Sequence, residues 1–183
     1  MAETIRIGAI YSTLPSNTSA TEQLLGVRLA GEHTRRAWST DARALEILER
    51  EVSPDPARAE EAGRDLAIAE RCSALISMST IPVAVRLAQW CEGAARLFMA
   101  AHNNPVVRQG RRRAFGIGVP SEVTGEATAR FLMEGLGAMR VFLIHQPGEF
   151  QSYAAQRAAD AMGRRGVLVE RGELGRTPPR TRR

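Results

Sequence analysis

Residues 72–101 read CSALISMSTIPVAVRLAQWCEGAARLFMAA, in which two short apolar runs flank a segment of helical period. The runs at 72–77 and 97–101 have the length and composition of buried strands. Pro82, between them, is well placed in the first turn of a helix. Apolar residues recur on one face of that helix, at Val83, Leu87 and Cys91. This stretch predicts a β-α-β unit with two parallel strands.

The preceding residues predict two more units of the same kind. Strands are expected at residues 4–12 and 44–52, and the alternation of apolar and charged residues in the second indicates a position near a sheet edge. The predicted helices cover residues 19–37, with Leu25 and Leu29 as apolar positions, and 57–70, after a Ser-Pro-Asp-Pro turn. The element order is therefore βαβαβαβ up to residue 101.

Residues 102–113 are polar and basic and predict a surface excursion that ends a first lobe at residue 113. A second, incomplete α/β lobe is expected over 114–174. It would contain strands at 114–120, 140–145 and 166–170, with helices beginning at Ser121 and covering 150–164. The apolar positions of these helices are Val123, Ala127, Phe131 and Leu132, then Ala154, Ala158 and Met162. Residues 175–183 have almost no apolar character and are expected to be disordered.

Alternating strands and helices predict an α/β protein with a parallel sheet flanked by helices. In such sheets, ligands bind beyond the carboxyl ends of the strands. The residues at these ends are hydroxyls, amides and imidazoles: Tyr11, Ser12, Thr13, Ser77, Ser79, Thr80, His102, Asn103, His145 and Gln146. The ends of the first, third and fourth strands carry no Asp or Glu, which argues against a Ser-His-Asp relay, a metal site and an enzyme. Neutral donors beside helix N-termini suit a carboxylate or amide group instead.

The formal net charge of +5 does not indicate nucleic-acid binding. All 25 basic residues are Arg, so lysine-dependent chemistry and a phosphate loop ending in Gly-Lys-Ser/Thr are excluded. Eight of these arginines lie in residues 108–113 and 176–183, and without them the charge would be −3. No basic stripe with interleaved aromatic residues remains. Cys72 and Cys91 have no metal-ligand spacing and are expected to be core residues.

The chain as written begins in a strand and shows no signal peptide, which by itself indicates a cytoplasmic protein. No apolar window approaches the length of a membrane span. Gly116-Ile117-Gly118 begins a dinucleotide fingerprint, but Ser121 stands where its third glycine would be. No cofactor is therefore expected.

Several short motifs resemble the type I periplasmic-binding family, especially its branched-chain amino acid and amide binding group. The similarity is carried by residues 5–8 (IRIG), 26–30 (GVRLA), 55–57 (DPA), 119–125 (VPSEVTG) and 136–144 (LGAMRVFLI). The resemblance implies two lobes that close around a ligand by hinge bending, a periplasmic location, and partners such as an ABC permease or a regulatory protein. Members of the family are about twice as long, so the resemblance also implies a truncated form.

The resemblance, together with the strand ends, gives a set of expected ligand-binding residues. They are Ser12, Ser79, Thr80, Ala101, Asn103 and, at the second-lobe position, Phe150. The expected function is binding of a small polar ligand by an ABC-transporter solute-binding protein or a ligand sensor. Two alternatives stay open at this stage: a Rossmann- or flavodoxin-like enzyme, and an interaction module that binds no ligand. The incomplete second sheet also predicts self-association through an exposed edge.

Overall fold

The computed structural model describes residues 3–12, 19–38, 43–102 and 104–175, and most of the predicted disordered tail lies outside them. The described residues form two compact units that divide after Gly118. The first unit contains β1 (Glu3–Tyr11), α1 (Ser19–Ala37), β2 (Arg43–Glu51), α2 (Pro56–Ile68), β3 (Ala74–Met78), α3 (Ile81–Gly93), β4 (Leu97–Ala100) and β5 (Ala114–Gly116). A short 3-10 turn, Pro105–Val107, lies between β4 and β5.

The sheet of the first unit is parallel and has the strand order β2-β1-β3-β4-β5. The edge position of β2 is the one that its alternating sequence predicts. Phe98 of β4 is in register with Ala114 of β5, so β5 belongs to the first unit. The lobe boundary expected after Arg113 therefore falls five residues later in the structure, after Gly118. The predicted fold class, a parallel sheet flanked by helices, is confirmed.

The main core lies between this sheet and the helices α2 and α3. Val83, Leu87 and Cys91 are fully buried there, which confirms the predicted apolar face of α3. Asp55 begins α2 by accepting a hydrogen bond from the backbone N–H of Ala57 at 2.8 Å. Such a cap satisfies one of the free donors at a helix start and stabilises it by about 1 kcal/mol. The Ser-Pro-Asp-Pro turn therefore has the expected role.

Helix α1 packs on the opposite face of the sheet with a different set of side chains from the expected one. Leu25 and Leu29 are each 55% exposed, whereas Leu24 is 5% exposed and lies in the interface with the sheet. A Cβ atom at Gly31 would collide with the side chain of Ile47 on β2. The absence of that Cβ lets α1 lie close to the strand, and this close approach decides which leucine faces inward.

The second unit contains α4 (Ser121–Arg130), a π-helical turn (Phe131–Gly135), β6 (Arg140–His145), α5 (Glu149–Gly163) and β7 (Leu168–Glu173). Strands β6 and β7 pair in parallel. Ala158 and Met162 of α5 are buried as predicted, and Ala154 is half-buried. The predicted apolar face of α4 is wrong for Val123, Ala127 and Phe131, which are exposed, whereas Leu132 packs against the core of this unit.

Close helix packing explains the error in α4. A Cβ atom at Gly125 would lie 2.6 Å from the backbone oxygen of Ala154 and 3.0 Å from the backbone nitrogen of Ala158. Helix α4 thus meets α5 through its small residues, Gly125 and Ala129, and turns its large ones away. Among the residues described, no helix is long and apolar enough to cross a membrane.

Candidate ligand-binding site

A pair of buried hydroxyl groups lies at the carboxyl ends of β1 and β3. The Oγ atoms of Ser12 and Ser79 are 2.5 Å apart, and the two residues are 0% and 3% exposed. They are brought together because β1 and β3 are parallel neighbours that end at the same level, where Tyr11 is in register with Met78. One hydroxyl donates to the other, so the pair retains one O–H donor for a further partner.

Thr80, the next residue, is the N-cap of α3 and makes no capping hydrogen bond with its side chain. Its half-buried hydroxyl is therefore not used in the way that an N-cap threonine most often is. The first turn of α3 contains Pro82, which has no N–H, so Ile81 and Val83 supply its first backbone donors. The positive end of the helix dipole lies at the same place, which favours a negatively charged group.

His102 follows β4 and fixes the backbone beside the hydroxyl pair. Its Nε2 atom is hydrogen-bonded to the carbonyl oxygen of Ser79, which requires the Nε2–H tautomer. Burial lowers the pKa of the His102 imidazole, although the bond to Ser79 acts in the opposite direction. The ring is therefore neutral at pH 7 and acts as a donor that orients Ser79.

Ser77 is a third buried hydroxyl in this region. It is 0% exposed, and its Oγ atom has no hydrogen-bond partner among the described residues. Its backbone oxygen accepts from the N–H of Ala101 at 2.9 Å. A buried hydroxyl without a partner costs about 1–3 kcal/mol, so this atom is a candidate for a bound water.

Acidic residues and metal ligands are absent from this part of the described structure. The described residues directly after β1, β3 and β4 include no Asp or Glu. Within residues 3–12, 19–38, 43–102 and 104–175, no three His, Cys, Asp or Glu side chains are arranged to bind a metal ion. The described arrangement supplies neutral hydrogen-bond donors and a helix N-terminus, which are groups that suit a carboxylate or amide oxygen.

The solved structures that superpose on this chain include several solute-binding proteins. A leucine binding protein, LivK, from Thermotoga maritima superposes with a TM-score of 0.75 and 18% identity, covering 93% of this chain and 49% of that one. The branched-chain amino acid binding protein LivJ from Streptococcus pneumoniae, in complex with isoleucine, superposes with a TM-score of 0.72 and 17% identity. The match covers 95% of this chain and 51% of LivJ. An ABC-transporter solute binding protein from Rhodopseudomonas palustris, in complex with 3,4-dihydroxybenzoic acid, superposes with a TM-score of 0.76 and 10% identity. The match covers 93% of this chain and 47% of that protein.

The chain has the type I periplasmic-binding-protein fold. This confirms the resemblance found in the sequence motifs. No family model and no curated protein matches the sequence. The chain spans about half the length of the solved type I structures it matches.

Three of the six predicted site residues lie together in the structure. Ser12, Ser79 and Thr80 lie in one cluster, in which Ser12 is closed off from solvent and contacts Ser79. Ala101 directly follows β4, but its side chain packs against the apolar cluster of Ala9, Leu24 and Met78 on the α1 side of the sheet. Only the backbone of Ala101 therefore faces the strand ends.

The predictions for Asn103 and Phe150 fall on a residue and a side chain that the structure does not describe. Asn103 is not among the described residues, so its predicted contact stays a prediction. Phe150 lies in α5 of the second unit, and its side chain is not described. The orienting role of His102 did not follow from the sequence, because a histidine after a strand shows nothing about which carbonyl oxygen it reaches. Its position directly after β4 was the available signal.

Proposed function

We propose that this chain binds a small solute with a carboxylate or amide group at the carboxyl ends of β1, β3 and β4, as the solute-binding component of an ABC transporter. The observation that supports this most is the buried hydroxyl pair of Ser12 and Ser79 beside the N-terminus of α3. Leucine, isoleucine and 3,4-dihydroxybenzoic acid, which appear in the names of the similar structures, are all carboxylic acids. The proposal includes no catalytic step.

Each residue of the cluster has a separate role in this proposal. Thr80 and the backbone N–H groups of Ile81 and Val83 donate to the ligand's anionic or carbonyl oxygens. Ser79 contributes the remaining O–H of the hydroxyl pair, while Ser12 fixes its direction from within the core. His102 holds the Ser79 backbone through the bond from Nε2. Asn103 and Phe150 remain proposed contacts of the same ligand.

Thermal unfolding of the 183-residue chain tests the proposal, with leucine, isoleucine, 3,4-dihydroxybenzoate and acetamide as ligands. A ligand that binds only the folded state stabilises it by about 2.7 kcal/mol at 100 times its Kd. For a chain of this size, that corresponds to a rise in Tm of roughly 5–10 °C. We expect at least one carboxylic acid of the panel to produce such a rise.

Two substitutions and one matched control connect the shift to the site. Ser79→Ala and Thr80→Val each remove one hydroxyl and should reduce the ligand-induced rise in Tm. Ser73→Ala removes an exposed hydroxyl at the amino end of β3 and should leave the rise unchanged. A panel without any effect on Tm, or an equal rise in all three variants, would show that the strand ends do not bind these ligands.

A further inference from the structure

Two ion pairs join α5 to α4 and to the π-helical turn that follows α4. Glu126 pairs with Arg157 at 2.7 Å, and Glu134 pairs with Arg165, also at 2.7 Å. Both pairs connect residues 31 positions apart in the sequence, so the two helices run in the same direction and their contacts advance together. In each pair the acid lies on the α4 side and the arginine lies on the α5 side.

The position halfway between these two pairs has an arginine but no acid. At the same offset in the sequence, Arg130 of α4 lies opposite Ala161 of α5, and both residues line a cavity of about 230 Å³. The alanine side chain ends at its Cβ atom, so it leaves open the space that a longer side chain would occupy. The cavity thus lies where a third ion pair would complete the row.

The cavity lies on the outer side of the helix pair. Its described lining residues belong to α4, to the π-helical turn, and to α5 with the two residues that follow it. Leu132 and Met162 lie on the other side of these helices and pack in the core with Val141 and Val169 of the sheet. The lining is therefore formed by the two helices themselves and does not involve a face of the sheet.

The positive charge around this cavity exceeds the negative charge. Arg130, Arg164, Arg165 and Glu126 are the charged residues of the described lining. Glu126 and Arg165 are already engaged in the two ion pairs. The guanidinium groups of Arg130 and Arg164 form no ion pair or hydrogen bond with any residue that the structure describes. Two positive charges are therefore left without a counterion from the described chain.

The helix dipole explains the position of only one of these two arginines. Arg164 directly follows α5, where the negative end of the dipole favours a cation. After Arg130, in contrast, the helix continues as the π-helical turn Phe131–Gly135, so Arg130 is not at a free helix end. Single π-helical turns inside α-helices recur at functional sites.

We propose that this cavity binds a small polyvalent oxyanion of the phosphate class between Arg130 and Arg164. The anion occupies the position of the acid that the row of ion pairs lacks. A guanidinium group donates two parallel N–H bonds to the oxygens of such an anion, and two guanidinium groups match its two negative charges. A water molecule takes about 30 Å³ of liquid volume, so the cavity has room for a tetrahedral anion with several waters.

This anion site is independent of the proposed solute site. Its lining lies in the second unit, whereas Ser79 and Thr80 lie in the first. The failure of one proposal therefore leaves the other intact.

Titration of the ¹⁵N-labelled full chain with inorganic phosphate, at constant ionic strength set by sodium chloride, tests the proposal. We expect saturable shifts of the amides of Arg130, Ala161 and Arg164. Arg130→Gln and Arg164→Gln should each raise the dissociation constant roughly 10-fold or more, because a charge-assisted hydrogen bond is lost. Arg171→Gln makes the same change of charge at an exposed position in β7 and is the matched control, which should leave the dissociation constant unchanged.

Two other anions test the charge of the ligand. Sulfate, which has the same shape and two negative charges, should produce the same shifts as phosphate. Acetate should bind more weakly, because only one negative charge faces the two guanidinium groups. An acetate affinity equal to that of phosphate contradicts the assignment to a polyvalent anion.

A substitution at Ala161 supplies the absent acid from the chain itself. Ala161→Glu should abolish the phosphate shifts and raise Tm in phosphate-free buffer relative to Ala161→Gln, the neutral control of nearly equal size. Ala161→Gln should leave both guanidinium groups available to the anion. A Tm of Ala161→Glu no higher than that of Ala161→Gln contradicts the proposal.

Three results of the phosphate titration overturn the proposal. The first is the absence of saturable shifts at Arg130, Ala161 and Arg164. The second is an equal loss of affinity in Arg171→Gln, which would show a general effect of charge. The third is a set of shifts confined to Ser79 and Thr80, which would place the anion at the proposed solute site.

Discussion

Gly125→Ala gives the sharpest test of the packing in the second unit. The added Cβ would lie 2.6 Å from the Ala154 oxygen, 2.7 Å from the Arg157 Cβ and 3.0 Å from the Ala158 nitrogen. Ordinary contacts of this kind are about 3.5 Å or longer, so α4 and α5 would have to separate by about 1 Å. Two of the three atoms belong to the backbone and cannot move independently of the helix.

The energetic terms of this substitution have opposite signs. Alanine in place of glycine stabilises a helix by about 1 kcal/mol. Overpacking costs about 1–3 kcal/mol, and the rigid backbone contacts favour the upper end of that range. We therefore expect the second unit to lose about 2 kcal/mol of unfolding free energy. Gly163→Ala in α5 is the control, because a Cβ atom at this position would meet no other atom within 4 Å. This variant should gain up to about 1 kcal/mol of unfolding free energy.

Urea unfolding followed by far-UV circular dichroism measures both variants, and hydrogen exchange of the α4 and α5 amides separates the second unit from the first. The two variants should differ by about 3 kcal/mol, with Gly125→Ala the less stable. If Gly125→Ala equals or exceeds the unsubstituted chain in stability, then α4 and α5 do not pack through Gly125.

Two further predictions follow from titrating side chains. The His102 pKa lies below its usual 6.5 in the folded state because of burial, so the unfolded chain binds more protons between these two values. Unfolding free energy should therefore fall as the pH drops through about 6.5 toward the folded pKa. In urea titrations at about pH 4.5–8, His102→Gln should remove the part of this slope near pH 6.5, whereas the part near pH 4.5 that comes from carboxylates such as Glu92, whose pKa is also lowered, should stay. Burial raises the pKa of Cys91 to about 12, so its thiol should react with a thiol reagent only in denaturant; rapid labelling of the native chain at pH 8 would contradict its core position.

The order of elements along the chain and the main core of the first unit were accessible from the sequence because period and length distinguish strands from helices. The apolar run that becomes β3 and the helical face of Val83, Leu87 and Cys91 are long, regular signals, and the structure confirms them. The alternation of apolar and charged residues in β2 likewise predicted its edge position. Only one face of an edge strand has to pack against the core, so the other face can carry the charged residues.

The faces of α1 and α4 could not be predicted in the same way. Sequence patterns place the largest apolar residues inside, but these two helices approach their neighbours through glycine and alanine, at Gly31 in α1 and at Gly125 and Ala129 in α4. Such a contact depends on the distance between the two backbones. The spacing of apolar residues along one helix does not give that distance. Leu25, Leu29 and Phe131 are exposed as a consequence.

The candidate site, too, was predicted from the sequence only in part. The predicted strand ends brought Ser12, Ser79 and Thr80 to one edge of the sheet, where the structure has them, and their contact with a ligand stays a prediction. The sequence did not predict that Ser12 would be buried under Ser79, or that the Ala101 side chain would face α1, because both depend on where each strand ends relative to its neighbour.

Ligand titration of the ¹⁵N-labelled chain by nuclear magnetic resonance tests the central claim most directly. With leucine, isoleucine or 3,4-dihydroxybenzoate, the account predicts saturable shifts concentrated on the amides of Ser79, Thr80, Ile81 and His102. Shifts confined to residues away from these strand ends, for example at Gly26 in α1, or no saturable shift with any of the three acids, would contradict it.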